Sequence, residues 1–253
     1  MSKKNITLKI SGTLVPDIFI TRLLSFGLVI KMLRVFIQNK YTILLCIVLL
    51  NVISAPFFSD SDHPGVFFNT TFSLIILTAV LSVIDDKTLS QAASIALMLP
   101  CLFFVWQAYF YIIEEHMLMA SAVVQAIFLA YMSLLIILFI FRAPVVTRDL
   151  VSAALVVYLF LAMFFAKLYL ILELAYPGSF SLSHEVIRDK PGLLRYFSMV
   201  TLSTLGYGDL SPVNDKSQTL AGIEAIFGQI YLAVLIARLV GMQGASIKRF
   251  SKK

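Results

Sequence analysis

Six long apolar runs divide the chain, and polar or charged residues gather in short clusters between them. The runs cover about Tyr41 to Phe58, Val66 to Ile84, Leu89 to Ile113, Met117 to Phe141, Leu150 to Tyr176 and Gln218 to Val240. Each is near the roughly 20 residues that a helix needs to cross a bilayer. Lipid offers no partner to an open backbone, so helices are predicted throughout. Pro100 inside the third run predicts a kink there. Ahead of the first run, between Pro16 and Lys40, Ile18, Phe19, Leu23, Leu24, Leu28, Leu33 and Phe36 mix with Arg22, Lys31 and Arg34. That pattern predicts an amphipathic helix lying on a membrane surface. The residues through Lys9 are polar and basic and do not fit a cleaved signal peptide.

Composition agrees with this reading. Of 253 residues, 60% are hydrophobic and 13% charged, which excludes an ordinary soluble domain. The net charge of +6 would suggest a nucleic-acid partner in a soluble protein; here the basic residues crowd the ends of apolar runs, where they read as orientation signals. The N-terminal region, Lys87, Arg142 with Arg148, and the cluster Lys248, Arg249, Lys252 and Lys253 alternate with Asp60 and Asp62, Glu114 and Glu115, and the loop before the last run. Both termini are therefore expected inside, in a multi-pass protein of the cell membrane. Cys46 and Cys101 lie in apolar runs without CxxC or metal-ligand spacing and are expected to be buried free thiols. His63, His116 and His184 fall in outside loops without ligand spacing, so no metal centre or catalytic constellation is expected. Asn69-Thr70-Thr71 and Asn5-Ile6-Thr7 match the glycosylation pattern, a weak motif, and the second lies on the inside.

One polar stretch stands apart. Between the fifth and sixth runs, Thr201 to Asp209 reads TLSTLGYGD, with two glycines flanking an aromatic at Gly206, Tyr207 and Gly208. Glycine admits backbone conformations closed to other residues, so alternate positions can turn successive carbonyls the same way. Leu193 to Ser203, just before it, is long enough for a short helix whose C-terminal dipole favours a cation.

The segment Thr204, Leu205, Gly206, Tyr207, Gly208 resembles the selectivity filter of the tetrameric potassium-channel superfamily, usually TVGYG, with Leu205 in place of Val. The resemblance runs from about Ala153 to Gly241. It implies an all-α integral membrane protein with six transmembrane helices, a re-entrant pore helix and filter between the last two, and four chains around one pore. K+ would be held at Thr204, Leu205, Gly206 and Tyr207 by a homotetramer, as permeant ion rather than cofactor. Asp209 and Pro212 fall where the family has its filter-backing acid and post-filter proline, and Gly228 where it has an inner-helix hinge; Thr201 belongs to the filter support. Where the family often has a pore-helix Glu that couples to the filter-backing acid, this chain has Val200. Tyr196, one helical turn earlier, is the expected substitute partner of Asp209. The implied division is an interfacial segment 1–40, a four-helix domain 41–148, a pore domain 149–241 and a short tail 242–253.

Voltage-gated members of the family carry arginine at every third position of the fourth span. Met117 to Phe141 has no Arg or Lys, so steep voltage gating is not expected. Only 13 residues follow Val240, too few for a cytoplasmic gating module, which points to a compact prokaryotic inner-membrane channel. Anionic lipids are the expected partners of the basic N-terminal segment.

Three ionisable residues fall at bilayer depth: Lys167, Glu173 and Glu224. At 1.5 Å per residue Lys167 lies about 13 Å, and Glu224 about 9 Å, below the outer ends of their spans. Those similar depths suggest a Lys167–Glu224 pair behind the filter, with a ring of Glu224 carboxylates near the ion path as the alternative. Glu173 is expected to brace the outer turret. Gly228, four residues from Glu224, serves either bending or close packing, and Arg238 is expected to snorkel toward headgroups. The rival functions are a weakly selective cation channel and a non-conducting regulatory or transporter subunit.

Overall fold

A computed structural model describes residues 9–10, 13–14, 39–54, 64–83, 88–110, 115–182 and 191–250. The chain divides into two compact units, Met1–Lys40 and Tyr41–Lys253. In the first, β1 (Lys9–Ile10) pairs antiparallel with β2 (Thr13–Leu14), a hairpin the sequence pattern does not announce. The surface helix expected between Pro16 and Lys40 lies outside the described residues but for its last two, as does the Asn5-Ile6-Thr7 motif.

The second unit is helical: α1 (Lys40–Ser54), α2 (Pro64–Val83), α3 (Thr88–Phe110), α4 (Glu115–Arg142), α5 (Arg148–Ala175), α6 (Pro191–Leu202) and α7 (Asp215–Phe250). Among the described residues, three helices are long and apolar enough to cross a membrane, at His116–Arg142, Arg148–Ala175 and Asp215–Met242. The described apolar parts of the first three runs are shorter, at Lys40–Ser54, Asn69–Val83 and Gln91–Gln107. These lengths and compositions make the chain a membrane protein. Pro100 lies inside α3 without interrupting it.

Two apolar clusters hold the unit together. One gathers α1 to α5 around Leu44, Ile75, Ile76, Phe128, Met132 and Phe160, all fully buried. The other is aromatic: Tyr169 of α5, Phe180, and Phe197 of α6 meet in pairs at 5.0 to 5.4 Å between ring centroids, edge to face. Edge-to-face contact sets the positive rim of one ring against the negative face of another, so this triangle fixes orientation as well as burying area. It seats α6 against α5.

Polar ties reinforce the packing. Thr147 caps α5, accepting from Leu150 N at 3.1 Å, and the first turn of α5 caps another helix in its turn. Asp149 Oδ1 accepts from Tyr41 N and Thr42 N, each at 3.0 Å, placing a carboxylate at the positive end of α1. Asn51 donates to Thr71 Oγ1 at 2.6 Å between α1 and α2. The Asn69-Thr70-Thr71 motif is therefore helical, with Thr71 buried. Cys101 is buried as expected, whereas Cys46 is exposed, because it falls on the outer side of α1, away from Leu44 and Val48.

Replacing Asp149 by Ala removes the acceptor for two α1 donors and is expected to destabilise the fold by about 1 kcal/mol. A lower Tm of the detergent-solubilised protein checks this, with an unchanged Tm as the contrary result.

Candidate functional site

Helix α6 is the base of the site. Pro191 opens it, where a missing N–H leaves nothing unsatisfied. Its other end needs more care, because the last four carbonyls of a helix have no partner within it. Here all four are engaged. Met199 O accepts from Ser203 N at 3.1 Å, Val200 O from Leu205 N at 2.9 Å and Thr201 O from Thr204 N at 2.9 Å. Leu202 O accepts from the Tyr158 hydroxyl of α5 at 3.2 Å. The bonds of Leu205 and Thr204 form a Schellman cap, which requires a left-handed residue after the helix. That residue is Thr204, at φ 58°.

The left-handed conformation then recurs. Gly206 has φ 59° and Gly208 φ 78°, while Leu205 and Tyr207 between them stay at negative φ. Alternation of this kind turns successive carbonyls toward one side of the strand. A side chain at Gly206 or Gly208 would meet no neighbour within 4 Å, so glycine is required there by backbone conformation and not by space. Thr204 is the exception: a β-branched residue at positive φ is an outlier that persists only where its surroundings over-determine it. Its hydroxyl donates to Ser203 O at 2.7 Å and receives the Gln229 amide of α7 at 3.3 Å. Leu205 is 56% and Tyr207 66% exposed, so the whole strand lies at the margin of the single chain.

Behind it Tyr196 meets Asp209. Tyr196 Oη donates to Asp209 Oδ2 at 2.7 Å, and that bond holds the Asp209 carboxyl below the usual carboxylate range. Val200, one turn after Tyr196, is buried. After the strand, β4 (Leu210–Pro212) pairs antiparallel with β3 (Phe180–Leu182), joining the end of the strand to the segment that follows α5. Glu173, buried near the end of α5, accepts from Gly178 N at 2.8 Å and Ser179 N at 3.0 Å. Ser179 in turn accepts from Ser217 and Asn214, each at 2.8 Å, at the start of α7. Glu173 thus clamps the turn that carries the β3–β4 bracket.

The expected Lys167–Glu224 pair does not form. Glu224 of α7 is fully buried; it accepts from Tyr169 Oη of α5 and is hydrogen-bonded to Ser198 Oγ of α6. Lys167 Nζ instead lies over the Phe72 ring of α2, 5.9 Å from its centroid. The depths agreed but the azimuth did not: residues two apart on a helix point about 200° apart, so Tyr169 faces α7 and Lys167 faces away. Full burial among three helices also removes Glu224 from any open ion path.

Two further residues of α7 find contacts. A Cβ on Gly228 would collide with Leu202 O, so this glycine admits the end of α6 against α7, and α7 runs unbroken from Asp215 to Phe250. Of the two readings of Gly228, close packing is the one that has a contact here. Arg238 does not snorkel: Nη2 donates to Phe141 O at 2.9 Å and Ala143 O at 3.0 Å, capping the C-terminal end of α4. Sequence reasoning missed Gln229 and Arg195, whose Nη1 reaches Asn51 Oδ1 of α1 at 3.4 Å. Among the described residues no group of three His, Cys, Asp or Glu could hold a metal ion.

Tyr196→Phe is expected to let the Asp209 pKa rise toward its ordinary value. The Tyr196 bond is present above the carboxylate range and is lost as pH falls through the depressed pKa, so the variant should titrate at higher pH. The carboxyl 13C shift of Asp209 measures this; coincident titrations would discard the bond. Thr204→Gly should relieve the left-handed strain, stabilising the fold by about 1 kcal/mol, read as a raised Tm.

No curated protein and no solved structure matches this chain. Residues 153–242, which run from α5 through α6 and the glycine-rich strand into α7, match the family model described as "Ion channel", and that match supports an ion channel.

Proposed function

We propose that the protein is a potassium-selective channel that lets K+ pass down its electrochemical gradient through a homotetrameric pore. The observation that carries this reading is the alternation of left-handed residues at Thr204, Gly206 and Gly208 immediately after a capped helix. In a ring of four, such strands would face the axis with stacked oxygens from Thr204, Leu205, Gly206 and Tyr207, replacing the hydration shell of a dehydrated cation.

The tetramer has support of its own. Helix α7 leaves Ile223, Ile226, Phe227, Ile230 and Val234 exposed as one stripe. An apolar stripe of this length on a helix next to an exposed glycine-rich strand in sequence fits burial against copies of the same chain. Helices α1 to α3 complete a six-span topology in this reading, since the apolar runs containing them approach bilayer length. Both termini then lie inside, α6 is a re-entrant pore helix, and the filter is reached from outside. The absence of Arg and Lys from Met117 to Phe141 fits a domain 41–148 that does not sense voltage. A prokaryotic inner membrane with anionic lipid at the basic N-terminal segment is the proposed setting.

One observation favours a second reading, a weakly selective cation channel. The Thr204 hydroxyl gives its proton to Ser203 O and accepts from Gln229, which leaves its oxygen less available to an ion.

Potassium flux into liposomes holding the purified chain, with sodium as competitor and barium as blocker, tests both. Barium-sensitive flux that prefers potassium is expected, and Gly206→Ala should abolish it. Equal sodium and potassium flux would favour the second reading, and flux that survives Gly206→Ala would remove the filter assignment.

A further inference from the structure

The carboxyl of Glu224 makes a hydrogen-bond pattern that can be counted. Three oxygen–oxygen contacts meet behind the filter: Tyr169 Oη with Glu224 Oε2, Ser198 Oγ with Glu224 Oε1, and Ser198 Oγ with Ala162 O at 2.7 Å. Each needs one hydrogen between its oxygens. Tyr169 supplies one and Ser198 supplies one, since a hydroxyl carries a single proton, and the Ala162 carbonyl supplies none. One hydrogen is missing, and an ionised carboxylate cannot provide it.

We propose that Glu224 is a neutral carboxylic acid whose proton is the third hydrogen of this set, and that the resulting bolt makes Glu224 a positioning residue for α6. Glu224 Oε1 donates to Ser198 Oγ, Ser198 donates to Ala162 O, and Tyr169 donates to Glu224 Oε2. The chain of donors joins α7 to α6 and α6 to α5, one turn above the point where Leu202 meets Gly228. Were Glu224 ionised, Ser198 could satisfy only one of its two acceptors, and the other contact would bring two bare oxygens together.

The surroundings leave the acid to this task. From α5, Tyr169 and Tyr158 face it, and Tyr158 is bound to Leu202 O. The cations on neighbouring elements are engaged elsewhere: Lys167 over Phe72, Arg195 at Asn51, Lys216 over the Tyr176 ring at 3.2 Å and Arg238 at the end of α4. Among the described residues, no cation forms an ion pair with Glu224.

The structural part of this proposal stands without the channel reading; its effect on flux rests on that reading. Infrared spectra of the purified full-length chain at neutral pH test the first part. A carboxylic-acid carbonyl band should be present, should vanish in Glu224→Gln, and should move to higher frequency in Tyr169→Phe, which removes the hydrogen bond to that carbonyl. If Glu224→Gln removes no acid band, Glu224 is ionised and the proposal is overturned. In the liposome assay Gln, which can donate to Ser198 and accept from Tyr169, should rescue the flux that Glu224→Ala lowers by about tenfold, the scale of one lost buried hydrogen bond. Equal flux from Gln and Ala variants would overturn the positioning role. The expected infrared bands with no flux from any variant would remove the channel reading and leave the neutral acid in place.

Discussion

A short helix that ends against other helices must find partners for its last four carbonyls, and the way α6 does so governs the rest of the site. Three of the four are satisfied by the chain turning back on itself through Ser203, Thr204 and Leu205, which forces Thr204 into the left-handed region. The first residue of the glycine-rich strand is thus also the last residue of a helix cap. Strand geometry and helix termination are one constraint, met by the same backbone bonds. The fourth carbonyl, Leu202, is met from outside by Tyr158 and by the bare backbone at Gly228, which makes α5 and α7 part of the same termination.

Around this point the polar residues of the apolar segments are used as fasteners. Glu173 holds the turn beyond α5, Glu224 holds α6 against α7, Asp149 caps α1, and Arg238 caps α4. Each meets either backbone groups that a helix end or turn leaves open, or hydroxyls on a neighbouring helix. Among the described residues, none meets a countercharge in an ion pair. In an apolar setting this is economical, because a hydrogen-bonded polar group needs no second charge to be desolvated with it.

Much of this was legible in the chain. The apolar runs and the TLGYGD motif are local patterns, and the Tyr196–Asp209 contact follows from counting one turn back along a helix from the position that Val200 occupies. What was not legible depends on azimuth and on neighbours distant in sequence. Lys167 and Glu224 share a depth, but Tyr169, two residues past Lys167, points the other way round α5 and takes the partnership. That signal was available: a Tyr two positions from a Lys offers the opposite face a hydroxyl. Gly228 could be read as bend or contact because a glycine's sequence says nothing of what approaches it. The β3–β4 bracket is three residues on each side, Phe180–Leu182 and Leu210–Pro212, too short for an alternating pattern to appear. Cys46 looked buried because its run is apolar on all sides, a pattern that hides which side meets other helices.

The contacts of α7 have a mechanical consequence. The helix is held at several heights, at Glu224 by Tyr169 and Ser198, at Gly228 by the end of α6, at Tyr231 by Ala154 O, and at Arg238 by the end of α4, the last ten residues or about 15 Å along the axis from Gly228. Between those points it behaves as a beam with fixed supports. Force applied at Arg238 is carried upward to Leu202, and Met242, buried one turn below Arg238, lengthens the held part of the beam.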